Sequence, residues 1–108
     1  MIGFDNFEQV EFRVGTVIEV NDFAEAKKPA YQLTIDFGPM GVLKSSAQIT
    51  TRYSMAELIG RQVVAVLNFP IKKIANFNSQ CLVLGATQSN DVFLLSPQNR
   101  VENGQIVR

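Results

Sequence analysis

Lys72 and Lys73 directly follow Asn68-Phe69-Pro70-Ile71, and with Lys44 and Arg52 they could form a basic rim. Such a rim suits a carboxylate, a phosphate or the backbone carbonyls of a bound peptide, and a solvated surface is the alternative. Asn68 shares a strand face with Val64 and Val66. It is therefore either a buried amide satisfied by backbone groups or a pocket amide that holds an extended chain by its main chain. Lys44, Ser46 and Gln48 alternate on one strand, where they either line the same pocket or make an ordinary polar outer face. Phe69 and Phe77 flank the lysine pair, and either could stack on a base or take an apolar side chain. Phe69 has core-filling as its alternative. Phe77, in Asn76-Phe77-Asn78-Ser79, sits in a polar segment that gives an aromatic less reason to be buried.

Covalent and metal chemistry have few residues to work with. There is no histidine and one cysteine, Cys81, which removes the commonest general base and nearly every imidazole or thiolate metal site, so no cofactor and no enzymatic activity are expected. Cys81, among Leu82, Val83 and Leu84, reads as a small buried apolar residue. Asp36-Phe37-Gly38-Pro39-Met40-Gly41 lacks the Lys-Ser/Thr of a phosphate loop and reads as a turn. The acidic residues Glu8, Glu11, Glu19 and Glu25 show no local acid/base pairing.

Ten basic and ten acidic residues cancel, so nucleic-acid binding would have to come from a local patch rather than from a general field. At 108 residues and 46% apolar, residues 1–108 are expected to form one domain with its own core. The lone cysteine, the lack of a basic segment and apolar core at the N-terminus, and the lack of a bilayer-length apolar stretch predict a cytoplasmic chain without membrane insertion.

Period-2 alternation dominates and predicts strands. Phe12 to Val20 sets Phe12, Val14, Thr16, Ile18 and Val20 on one face, and Gly15 marks a bend or bulge. Tyr31 to Phe37 alternates cleanly, Gly38 to Gly41 turns the chain, and Val42 to Ile49 completes a hairpin. Thr51 to Ile59 has helical character, with Ser54 and Glu57 spaced as a capping box and Gly60 as the stop. Gln62 to Phe69 and Gln80 to Leu84 are apolar on both faces, and short strands are expected at Val92 to Leu95 and around Ile106. Phe4 to Glu11 could form an amphipathic turn or two. The pattern predicts an all-β chain: a five-stranded Greek-key β-barrel with one mid-chain helix and terminal extensions, with a sandwich as the alternative.

Several stretches carry a family likeness. Phe12-Arg13-Val14-Gly15-Thr16-Val17 resembles the opening strand of the tRNA-binding domain family. Within that family, Phe23-Ala24-Glu25-Ala26-Lys27-Lys28-Pro29-Ala30 with Ile35-Asp36-Phe37-Gly38, Lys44-Ser45-Ser46-Ala47-Gln48-Ile49-Thr50 and Asn68-Phe69-Pro70-Ile71-Lys72-Lys73-Ile74-Ala75 resemble the CsaA-type secretion chaperones. The resemblance implies an OB-fold, a homodimer made through the terminal segments, and binding of unfolded or precursor polypeptides without nucleotide. Relatives that bind tRNA typically carry Arg-Gly after the basic pair and a Ser-x-Gly-Met run. Here the positions read Ala75-Asn76 and Ser79-Gln80-Cys81-Leu82, keeping only the serine and losing a charged, planar ligand. Asn76 is tolerable in place of glycine, since asparagine visits left-handed conformations.

With the resemblance, the expected polypeptide-binding residues are Lys44, Ser46, Gln48, Asn68, Phe69, Lys72, Lys73, Phe77 and Ser79. The tRNA alternative would use Lys44, Arg52, Lys72, Lys73 and Ser79. The apolar termini, Ile2, Phe4, Phe7 and Val10 at one end and Val101, Ile106 and Val107 at the other, also call for a covering surface. Either a second copy supplies it, or the N-terminal segment folds back on its own barrel.

Overall fold

A computed structural model describes all residues from Met1 to Arg108. Strands β1 (Phe12–Asp22), β2 (Tyr31–Asp36), β3 (Val42–Ala47), β4 (Gln62–Val66) and β7 (Leu82–Val83) form one antiparallel sheet in the order β3-β2-β1-β4-β7. The hairpins β5 (Lys72–Ile74) with β6 (Phe77–Ser79), and β8 (Gly85–Gln88) with β9 (Asp91–Leu94), stand beside it. The five-strand sheet curls until β3 approaches β6 and β7, giving the nearly closed barrel of an OB-fold. Helix α1 (Phe4–Gln9) precedes the barrel and α2 (Met55–Leu58) lies between β3 and β4; neither is long and apolar enough to cross a membrane.

The clean alternation of β2 buries Tyr31, Leu33 and Ile35, which join Val17, Phe37, Ile49, Leu58, Val63 and Ala65 in the core. In α2 the capping box forms as the spacing predicts: Glu57 N–H donates to Ser54 Oγ and Ser54 N–H to Glu57 Oε1. The helix is shorter than its sequence signal, a single turn that seats buried Leu58.

Several strand expectations needed correction. The bulge in β1 falls between Val17 and Glu19, not at Gly15. It breaks the alternation, so Val17 is fully buried, Ile18 is 48% exposed, and Val20 packs on the core from three positions after Val17. Gly15 answers to close packing instead: a Cβ there would stand 2.6–2.7 Å from the Phe37 ring and the Ile35 side chain. The expected strand Gln80 to Leu84 shrinks to β7, and β5, β6 and β8 appear where no strand was expected. Polar composition hid the first two, since a hairpin open to solvent on one face needs little apolar material. The left-handed residue of the β5–β6 turn is Ala75 (φ 53°), one place before Asn76.

The termini lie together. Val107 N–H donates to Phe12 C=O, Ile106 bridges Arg13, and the Phe7 ring sits 5.5 Å from that of Phe12 and 5.9 Å from that of Phe4. The N-terminal segment thus folds against its own chain through Phe7, while Ile2 and Phe4 remain exposed.

Candidate functional site

The site is built where the barrel fails to close by main-chain pairing. At β3, the Gln80 and Cys81 N–H groups both donate to Lys44 C=O (2.7 and 3.3 Å), and side chains fill the neighbouring ladder positions. Lys44 N–H donates to Gln80 Oε1 (2.9 Å) and Ser46 N–H to Ser79 Oγ (3.0 Å). These substitutes join the edges as far as Ser46. Beyond it, β3 and the chain from Leu82 onward are the two sides of a groove.

Three adjoining hollows make up that groove. One of about 270 Å³ is bounded by Phe69, Pro70, Lys72, Ser79 and Leu82. A second, of about 400 Å³, runs between Ser46, Gln48 and Ile49 on one side and Leu82, Val83, Leu84 and Thr87 on the other. The third, of about 420 Å³, is walled by Lys27, Lys28, Ser46, Gln48, Lys72 and Ile74. Lys72 borders all three. Alternation along β5 is the cause: Lys72 and Ile74 turn into the groove, and Lys73 between them turns away.

The cations divide by type. Each of the five arginines is engaged within the fold. Arg13 reaches Gly104 C=O, Arg100 reaches Gly60 C=O, Arg108 pairs with Glu8, and Arg61 lies over the Tyr53 ring. Arg52 grips Asp91 through Nε (3.0 Å) and lies 3.8 Å over the Phe93 ring. That hydrogen bond raises the guanidinium above its ordinary value and lowers the Asp91 carboxyl below its own. None of the five lysines makes an ion pair. The fold therefore leaves its lysine charge available to a ligand, and Lys27, Lys28 and Lys72 carry theirs into one hollow that also contains Glu25.

Of the residues expected from sequence, Ser46, Gln48, Lys72 and Ser79 meet in the groove, with Phe69 (52% exposed) at one end. The Ser79 hydroxyl is also occupied in closing the barrel. Lys44 is exposed on β3 but lines none of the three hollows, and Lys73 faces away. Arg52 belongs to the Asp91 pair rather than to a basic rim. Asn68 is not a pocket amide: its Nδ2 donates to Gln9 C=O (2.7 Å) and its Oδ1 accepts from Glu11 N–H (2.9 Å), which ties down the N-terminal segment at the surface.

Phe77 also needs correction. It is 8% exposed and packs on Phe23 (ring centroids 5.3 Å apart) and Ala30, under the loop that carries Lys27 and Lys28. Its neighbours in sequence are polar because β6 is exposed on its other face, which the composition of the segment could not separate from a free aromatic. Lys27 and Lys28 were missed as site residues. Their signal was a lysine pair ahead of Pro29 and Ala30, uninformative until the fold brings that loop to β5. Cys81 is buried, and burial pushes its thiol up to about 12, so it offers no ready nucleophile.

Residues 12–106 match the model of the putative tRNA-binding domain family. Chaperone CsaA from Bacillus anthracis is similar in structure (TM-score 0.96, 47% identity, covering 100% of this chain and 99% of that one). So is the CsaA chaperone protein from Picrophilus torridus (TM-score 0.94, 48% identity, 100% of both chains). Among curated sequences, a methionine–tRNA ligase from Thermococcus kodakarensis is 35% identical over 107 residues, 99% of this chain but 14% of that protein. This chain thus spans about one seventh of the length of such relatives.

Proposed function

The chain belongs to the putative tRNA-binding domain family, and on that premise we propose that it is an export-related chaperone of the CsaA type that holds unfolded or precursor polypeptides without nucleotide. The observation that carries this reading is the groove itself: apolar walls from Ile74, Leu82, Val83 and Leu84, edged by the unpaired Lys27, Lys28 and Lys72. Apolar segments of a client would bury in it while the lysines meet carboxylates or main-chain carbonyls. Binding of this kind is weak and tolerant, because a flexible ligand loses entropy on docking and gains mostly generic contacts.

Recognition of tRNA is the second reading, favoured by the domain family and by five lysines free of ion pairs. The groove supports it less well. Unpaired bases of a folded RNA are gripped by stacking on exposed aromatic rings, and of the two aromatics expected there, Phe77 is buried and only Phe69, at one end, is exposed. We further propose that the exposed Ile2 and Phe4, the latter sharing a hollow with Ile106, are covered by a second copy in a homodimer, and that the protein works in the cytoplasm.

Lys72→Gln and Lys73→Gln decide between the two ligands. The substitutions remove the same charge from opposite faces of β5, so a groove ligand must tell them apart and a diffuse electrostatic one cannot. For an unfolded polypeptide, Lys72→Gln should weaken binding about two- to fivefold at low salt, as expected for one exposed charge, and Lys73→Gln should change it little. Equal effects, with tRNA bound tightly and a steep loss as salt rises, would replace the chaperone reading with the RNA one.

A further inference from the structure

The β3 side of the groove ends in main-chain groups without partners. Lys44 N–H and C=O are bonded away from β2, to Gln80, and the alternation of an antiparallel strand directs the same groups of Ser46 and Gln48 that way. Ser46 N–H is used by Ser79 Oγ, and its carbonyl accepts only the Ser45 hydroxyl at 3.3 Å. Gln48 lies just past the end of β3, is exposed, and neither its N–H nor its C=O has a hydrogen-bond partner. Both border the second and third hollows. On the far side β7, the other end of the sheet, presents Leu82 and Val83, and Leu84, Val92 and Leu94 continue the wall.

We propose that polypeptide enters this groove as an added strand, pairing through its main chain with Ser46 C=O and with Gln48 N–H and C=O. This inference rests on the chaperone reading and specifies the ligand: an extended segment, selected by its conformation more than by its sequence. The free edge offers an acceptor, a donor and another acceptor at strand spacing, and a polypeptide backbone returns the matching donor and acceptor in the same order whichever way it runs. Phosphate groups supply acceptors only, so RNA would have to match the two carbonyls through its ribose 2′-hydroxyls or base edges, which are not fixed in line as the amides of an extended chain are. Side chains on one face of the added strand would meet the apolar wall, and those on the other would point to solvent near Lys72.

Gln48→Pro and Gln48→Ala test the idea against reduced, carboxymethylated lactalbumin, a permanently unfolded polypeptide. Proline deletes an N–H that no group in the chain uses and places its ring where the ligand strand must lie, while alanine removes the side chain and keeps the edge. Ala47, at the extended end of β3, has the conformation that tolerates a following proline. Gln48→Pro is expected to bind about tenfold more weakly, and Gln48→Ala, which takes only a side chain from the groove wall, no more than about twofold more weakly. Amide exchange at Gln48 in the native chain should slow when the polypeptide binds. If Gln48→Pro, shown to be folded by its amide spectrum, binds at native strength, or if Gln48→Ala loses as much, the added strand is wrong while the chaperone reading stands. A native chain that ignores the polypeptide would overturn both. Protection of Gln48 by tRNA instead would assign the edge to RNA.

Discussion

Replacing Phe77 by alanine separates a core residue from a ligand-stacking one. Phe77 is 8% exposed and belongs to a small cluster with Phe23 and Ala30, flanked by Ala26 and Ile74. Core Phe→Ala changes cost about 3–5 kcal/mol, and about 0.5–1.5 kcal/mol of that belongs to an aromatic pair such as Phe77 with Phe23, tilted at 59°. This cluster lies beneath a surface loop that can settle into part of the cavity, which places the cost near the lower bound, about 3 kcal/mol. For a chain of this size that lowers Tm by roughly 12–24 °C. Phe77→Leu fills most of the volume and should cost about a third as much. The assay is thermal unfolding by circular dichroism, followed by binding of unfolded polypeptide and of tRNA at a temperature where each variant is still folded. Because the cluster supports the loop bearing Lys27 and Lys28, some loss of binding is expected alongside the lost stability, graded in the same order. Unchanged Tm with abolished binding of either ligand would show that Phe77 meets the ligand and refute the packing argument.

Two further outcomes follow from single side chains. With its thiol pushed up to about 12, Cys81 should be alkylated by iodoacetamide at pH 8 about a thousandfold more slowly in the folded chain than in denaturant, and comparable rates would contradict its burial. Because the folded value lies above the unfolded one, the neutral thiol's contribution is whole below the unfolded value and fades as pH rises towards about 12; Cys81→Ala should flatten that alkaline fall in Tm. Asn68→Ala removes the bonds to Gln9 C=O and Glu11 N–H, worth about 1–2 kcal/mol together at an exposed site. Amide exchange over residues 4–11 should accelerate with little change in global Tm, and sedimentation should show more monomer if the terminal segments join two copies.

Elements whose signal is local can be read from the chain alone. β2 could be read because alternation is written into six consecutive residues, and the α2 cap because Ser54 and Glu57 are three apart. The family could be read from several blocks taken together. The candidate site, by contrast, depends on contacts between residues far apart in the chain. The bulge after Val17 reverses which residues of β1 face inward, and it depends on pairing with β2. Lys27 and Lys28 become site residues because their loop meets β5, more than forty positions on. Asn68 and Phe77 lost their expected roles to partners at Gln9, Glu11 and Phe23, far along the chain, and neighbouring residues carried no sign of them. Most of all, the free edge at Gln48 exists because Ser79 and Gln80 close the barrel with side chains and stop short of it. An unpaired backbone group has the same chemistry at every residue, so its availability is settled by long-range pairing alone.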